Sequence, residues 1–81
     1  MISHEELEKC FTESGDVDFV KVDGDGYHYQ LTVVSPVFEG KSVVQRQQWV
    51  YGKLQHYITT GALHAITMKT MTKNEWERAH G

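Results

Sequence analysis

The sequence predicts an α/β domain in which helices cover one face of a three-stranded mixed sheet. Its 81 residues leave room for one hydrophobic core. Two closely spaced runs in the first half are rich in β-branched and aromatic residues, which is typical of a hairpin. A run of helical period, more than twenty residues long, then precedes a third strand-like run. Because such a connection suits parallel neighbours, strands two and three are predicted to pair in parallel, with a right-handed crossover.

The first helix is predicted from about residue 4 to residue 14. Ser3 and Glu6 stand three apart before an apolar run, which is the capping-box pattern. Apolar side chains then recur at helical spacing, and Gly15 is a natural stop. The chain therefore enters the domain through an amphipathic helix.

The hairpin is predicted from strands at 16–22 and 27–35, joined by the sequence DGDG. Two other interpretations of this loop fail position by position. A calcium loop would place Lys21 at the first ligand and Thr32 at the last, where acids are needed. A dinucleotide loop would need glycine where Tyr29 stands. A tight turn remains, in which glycine supplies positive φ values.

The central helical region, residues 40–63, is predicted as two helical pieces that bend near Gly52, because glycine disfavours a continuous helix. A strand at 63–70 and a short helix at 72–80 complete the order helix, strand, strand, helix pair, strand, helix. Thr72 and Glu75 give that last helix a capping box. The predicted core stripe of the central region consists of Val43, Val50, Leu54 and Tyr57, widened by Val44, Tyr51 and Ile58.

Charge is unevenly distributed along the chain. The net charge of −3 argues against a dedicated nucleic-acid binder, yet residues 40–74 contain five bases and no acid. Arg46, Trp49 and Lys53 would share one helix flank, which could dock a peptide, a cofactor or a nucleic acid. Alternatively, Trp49 packs over the core edge and the cations are solvated. The candidate partner surface comprises Lys41, Arg46, Trp49, Lys53 and Lys69.

The sequence indicates no catalytic centre and no complete metal site. A single cysteine, Cys10, excludes an internal disulfide and a Cys-only metal site. His28 and His64 stand at the starts of two predicted strands and would supply at most half the ligands of a metal centre. The alternative for each is an exposed strand histidine. The acidic, helical start is unlike a secretory signal, and no apolar run spans a membrane, so we expect a cytoplasmic protein that is not an enzyme.

These features together resemble the BolA family. The most specific stretch is VVSPVFEGKSVVQRQQWVYGKL, continued by LHAITMKTMTKNEW, and the resemblance covers almost the whole chain, residues 1–81 being one BolA-like domain. The stretches DGDGYHY and RQQWVYG are similar to the subgroup called IbaG or YrbA. The resemblance implies the order α-β-β-α-α-β-α and a fold similar to the class II KH domains.

The resemblance also implies a function. BolA proteins partner monothiol glutaredoxins, and the pair bridges a [2Fe–2S] cluster with a glutathione thiol, so the isolated chain is expected to hold no cofactor and to take no small-molecule substrate. His64, at the start of the last strand, would be one cluster ligand. A second ligand would come from the hairpin loop, where the cysteine type has its thiol near Asp25; His28 is the nearest histidine.

DNA is the alternative partner. The family is also described as transcriptional regulators, with roles in stress response, that use the helix pair and the following strand. The acid-free segment contains that region, but no two glycines stand three apart, so the G-x-x-G loop of KH domains is missing. We expect DNA binding to be weak, salt-sensitive and directed at the backbone.

Overall fold

Three strands form one mixed sheet with β2 in the centre. The computed structural model describes residues 2–25 and 27–80. β1 pairs antiparallel with β2, and β2 pairs parallel with β3, so the predicted hairpin and the parallel crossover are both confirmed. The elements are α1 (His4–Thr12), β1 (Phe19–Gly24), β2 (His28–Val34), a 3-10 turn (Pro36–Phe38), α2 (Val43–Thr59), β3 (Ala65–Met71) and α3 (Lys73–His80).

The core lies between one face of the sheet and the two longer helices, α1 and α2. The strict alternation of β2 places Tyr29, Leu31 and Val33 on this face, each almost fully buried. From the helices, the core receives Leu7 and Phe11 of α1 and Val50 and Leu54 of α2. The Tyr29 hydroxyl donates a hydrogen bond to the backbone carbonyl of Ile2, which fastens the chain start to the central strand.

The hairpin loop is tight because of one glycine. Gly24 has a φ of +128°, and a Cβ built on it would lie 2.1 Å from the backbone oxygen of His28. Only glycine fits this close approach of two backbones. Gly26, the second glycine of the predicted DGDG turn, lies outside the described residues.

The predicted bend at Gly52 is wrong, because α2 runs without interruption from Val43 to Thr59. Gly52 is exposed, and a Cβ built there meets nothing within 4 Å, so its cost is only the intrinsic helix penalty of about 1 kcal/mol. A complete capping box between Ser42 and Gln45 starts the helix. The break in the central region falls earlier, between the 3-10 turn and α2.

The predicted core stripe of α2 is correct only at its centre. Val50 and Leu54 are buried and Tyr57 packs against the core, but Val43 is 65 % exposed. Val44, Tyr51 and Ile58 are also exposed, at 60, 40 and 36 %. The helix is rotated about its axis relative to the predicted stripe, so that the flank carrying Arg46 and Trp49 packs inward instead.

The last helix begins with the predicted capping box, which is confirmed. The Thr72 backbone N–H donates to Glu75 Oε1 at 2.8 Å, and the Glu75 N–H donates to Thr72 Oγ1 at 3.2 Å. Trp76 lies 5.1 Å from Phe19, ring centroid to ring centroid. Because Phe19 alternates with the core-facing Val20 and Val22, Trp76 covers the end of the opposite sheet face. No helix among residues 2–25 and 27–80 is long and apolar enough to cross a membrane.

Candidate functional site

The two candidate ligand histidines lie at the same end of the sheet. His28 begins β2, and its Cα partner in β3 is Ala65, the residue that follows His64. Adjacent strands are about 4.8 Å apart and residues rise about 3.3 Å, so the two histidine Cα atoms lie roughly 6 Å apart. Both side chains are exposed. The parallel pairing thus brings together two histidines that are 36 positions apart in the sequence.

His28 is held by the hairpin and by β3. The Asp25 carboxylate accepts the backbone N–H groups of Tyr27 and His28, each at 3.0 Å. These two hydrogen bonds lower the pKa of Asp25 below its ordinary value, and the bond from the His28 N–H contributes more than the bond from the Tyr27 N–H. The imidazole Nε2 of His28 lies 2.7 Å from Thr67 Oγ1. This ring therefore lies over the sheet face opposite α1 and α2. Its Nε2 atom contacts Thr67, and its Nδ1 atom takes no part in that hydrogen bond.

His64 follows the turn that ends α2. Gly61 has a φ of +78°, and its backbone N–H donates to Ile58 O at 3.2 Å, while the Leu63 N–H donates to Tyr57 O at 3.1 Å. Leu63 is buried, so it anchors the segment immediately before His64. The Cε1 atom of His64 lies 4.0 Å from a Cβ built on Gly61. The two histidine rings consequently have different neighbours although their backbones are adjacent.

The two exposed imidazoles would supply at most half the ligands of a metal site, and their rings have different surroundings, Thr67 for His28 and Gly61 for His64. In the part of the chain that the structure describes, no group of three or more His, Cys, Asp or Glu side chains could hold a metal ion. Asp25 has its carboxylate bound to the backbone N–H groups of Tyr27 and His28. Cys10 lies on α1, where its thiol contacts Glu6 O at 3.4 Å and burial raises its pKa, so it is not a thiolate near the histidines. The remaining ligands would have to come from a partner.

Arg46, predicted on the partner surface, is occupied inside the fold. Its side chain is only 13 % exposed and forms two bonds to Glu75, Nη1–Oε1 at 2.7 Å and Nη2–Oε2 at 3.4 Å. It also donates to the backbone oxygens of Lys41 and Thr70, at 3.0 and 3.2 Å. The pKa of Glu75 is lowered from 4.5 to about 2, mainly by the hydrogen bond from Arg46 and secondly by the bond from the Thr72 N–H. Arg46 thus ties α2 to β3 and α3.

Trp49 packs over the edge of the core, which was the alternative to a role on the partner surface. Its ring lies 5.4 Å from Phe38 in an edge-to-face arrangement and 6.3 Å from Phe11. The Lys53 ammonium lies 5.1 Å from the Trp49 ring centroid, a cation–π contact that covers the outer side of the tryptophan. Lys69 is exposed on the sheet face opposite α2. The five predicted surface residues therefore do not form one continuous surface.

A family comparison identifies the fold. A family model described as BolA-like protein matches residues 6–75. The chain belongs to the BolA family. It is 36 % identical over 77 residues to the acid stress protein IbaG of Escherichia coli, covering 95 % of this chain and 92 % of IbaG, which confirms the predicted resemblance to the IbaG subgroup.

Solved BolA structures have the same architecture. A BolA homologue from Coxiella burnetii superposes with a TM-score of 0.81 at 29 % identity, covering 96 % of this chain and 100 % of that one. A Bol-like protein from Babesia bovis gives 0.80 at 31 % identity, covering 100 % and 96 %. The predicted fold class is confirmed in its three-stranded mixed sheet and single compact domain. In place of the predicted helix pair, the described residues have one 3-10 turn and one α-helix, which makes three α-helices.

The sequence did not indicate that three polar residues from different strands form one row across the sheet. Lys21, Thr32 and Lys69 are Cα partners across the three strands, on the face opposite α1 and α2. Their alternation with core residues was visible, but the register that aligns them was not. This row lines a groove that Trp76 also borders.

Proposed function

We propose that this BolA-family chain is the partner of a monothiol glutaredoxin, with which and with glutathione it binds a bridging [2Fe–2S] cluster. In the cytoplasm, the chain would take part in iron–sulfur cluster trafficking or in the regulation of iron, redox and stress responses. The chain would bind rather than catalyse. The observation that supports this is the pair of exposed histidines, His28 and His64, at the adjacent ends of β2 and β3. The name of the E. coli relative, acid stress protein, supports the stress role.

The two histidines would contribute unequally. His64 is exposed, whereas His28 has one nitrogen at 2.7 Å from the Thr67 hydroxyl. A cluster ligand at His28 would use the other nitrogen, or the ring would leave Thr67. Neutral imidazole in place of thiolate removes negative charge and raises the reduction potential of an iron–sulfur cluster. Because only neutral imidazole binds metal, proton competition should weaken cluster binding at low pH.

The test is to mix the apo protein with cluster-loaded glutaredoxin and to record visible circular dichroism. We expect a new spectrum with the wild-type chain, loss of that spectrum with His64→Ala, and a smaller change with His28→Ala. His56→Ala is the matched control, because His56 is an exposed histidine that lies on α2 and not at either strand start. An unaltered spectrum on mixing, or one that His64→Ala leaves intact, would contradict the proposal.

DNA binding is the second candidate, and the acid-free segment 40–74 is what favours it. Arg46 is neutralised by Glu75 and Lys69 lies on the opposite sheet face, so Lys41 and Lys53 would carry the phosphate contacts. Affinity for duplex DNA should then fall steeply with salt, and Lys53→Gln should reduce the slope of that dependence by about one. Binding that is indifferent to salt would exclude this function.

A further inference from the structure

The face of the sheet opposite α1 and α2, called here the open face, carries ordered rows of side chains. Paired residues of a sheet project to the same side, so each set of Cα partners forms one row across the strands. The row in the middle of this face, formed by Lys21, Thr32 and Lys69, combines two cations with a hydroxyl. From the α3 end toward the hairpin, the three rows are Phe19–Val34–Met71, Lys21–Thr32–Lys69 and Asp23–Gln30–Thr67.

Met71 of the first row and all members of the other two rows line a groove of about 590 Å³. Its floor is the sheet, and Trp76 of α3 forms the wall at the apolar end. Small-molecule sites in proteins are concave, roughly 300–1,000 Å³ in volume, with an apolar part and a few polar groups that fix orientation. The groove has this size and this division between an aromatic wall and a polar floor.

The charges in the groove are arranged for an anion. Within residues 2–25 and 27–80, Lys69 makes no ion pair, and Thr32 lies beside it in the middle row. Lys21 pairs with Asp23 at 3.5 Å, but both side chains are about 60 % exposed (61 and 59 %), so this contact is weak. Among the described residues that line the groove, Asp23 is the one acid, and it opposes anion binding from the neighbouring row.

We propose that the open face binds a small amphiphilic anion. Its oxyanion, a phosphate or a carboxylate, would lie between Lys69, Thr32 and Lys21, and its planar part would pack against Trp76 and Met71. Rows on one face are two residues apart along the strand, which is about 6.6 Å. A ligand whose oxyanion and ring are separated by about 7 Å, as in a nucleoside monophosphate, matches that spacing. This site is separate from the cluster proposal and does not rest on it.

The direct test is a titration of the ¹⁵N-labelled chain followed by NMR. AMP supplies a phosphate with a planar base, and indole-3-acetate supplies a carboxylate with a planar ring. We expect either or both to shift the backbone amides of Lys21, Thr32 and Lys69 and the indole N–H of Trp76. Adenosine, which lacks the phosphate, should bind about tenfold more weakly than AMP because it loses a charged contact near a surface. Ribose 5-phosphate, which lacks the base, should also bind about tenfold more weakly because it loses the stacking contact with Trp76.

Two variants give opposite expectations. Lys69→Gln should weaken binding about fivefold to tenfold, whereas Asp23→Asn should strengthen it about threefold, because it removes a repulsive charge and releases Lys21. Lys9→Gln, an exposed lysine on α1, is the matched control and should have no effect. The gain from Asp23→Asn cannot come from unfolding.

Three results would overturn the proposal. The first is the absence of shifts with both AMP and indole-3-acetate at millimolar concentration. The second is a set of shifts confined to α1 and α2. The third is binding that Asp23→Asn weakens. Shifts with only one of the two probes support the site and identify the oxyanion as phosphate or carboxylate.

Discussion

Replacing Gly24 by alanine tests the geometry that positions His28. Gly24 ends β1 with a φ of +128°, and a Cβ on it would lie 2.1 Å from the His28 backbone oxygen and 2.9 Å from the Tyr29 Cα. Both contacts are with backbone, so no side-chain rotation can relieve them. The hairpin must open for alanine to fit, which moves the start of β2 away from β1.

The expected loss has two parts. A non-glycine residue in this region of φ costs about 1–3 kcal/mol in backbone strain alone. The displaced hairpin adds to this, so we expect a total of about 3 kcal/mol. For a domain of this size, 1 kcal/mol shifts the melting temperature by about 4–8 °C. Gly24→Ala should therefore lower Tm by about 12–24 °C.

Gly52→Ala is the matched control, because the same change should have the opposite sign. Gly52 lies inside α2 with open space around its Cα, so alanine should gain about 0.8–1 kcal/mol and raise Tm by about 3–8 °C. Thermal unfolding followed by far-UV circular dichroism measures both. If Gly24→Ala melts within about 2 °C of wild type, the tight hairpin described here is incorrect. If Gly52→Ala is destabilising, α2 is not the continuous exposed helix of the structure.

Two further predictions concern single contacts. Glu75→Gln should destabilise the fold at pH 7 but have a diminishing effect as pH falls from about 4.5 toward 2, because the Arg46 bond keeps the pKa of folded Glu75 at about 2 against 4.5 unfolded; urea unfolding across that pH range measures it, and a constant difference would refute it. Tyr29→Phe should cost about 1–2 kcal/mol, since it leaves the buried carbonyl of Ile2 without a donor; an unchanged urea midpoint would contradict this.

Local patterns predicted the elements and their ends well. The alternation of β2, the N-cap at Ser3 and the capping box at Thr72 involve residues two or three positions apart, so the sequence displays them directly, although at Ser3 only the bond from the Glu6 N–H to the Ser3 hydroxyl forms. The parallel pairing also followed from the length of the crossover. The adjacency of His28 and His64 required one thing more, the register of β2 on β3, which no local pattern specifies.

The orientation of α2 could not be predicted for a related reason. The apolar residues of α2 other than Trp49 lie within an arc of about 140°, so helical period alone directs the middle of that arc toward the core. The deciding contacts come from elsewhere in the chain: Glu75, 29 positions after Arg46, and Phe11 and Phe38, which receive Trp49. Residues that seemed free to meet a partner are held by these distant groups, and Val44 and Tyr51 are left exposed instead.

This division between the two sides of the sheet determines how substitutions should be interpreted. On the helix side, Arg46 and Trp49 hold elements together, so their replacement should lower Tm and impair any binding indirectly. On the open face and at the strand ends, His64 and Lys69 are exposed and contribute little to stability, because isolated surface charges contribute about 0–1 kcal/mol. A binding defect in His64→Ala or Lys69→Gln at unchanged Tm would therefore report a contact with a ligand. The same defect in Arg46→Ala would report only a loosened fold.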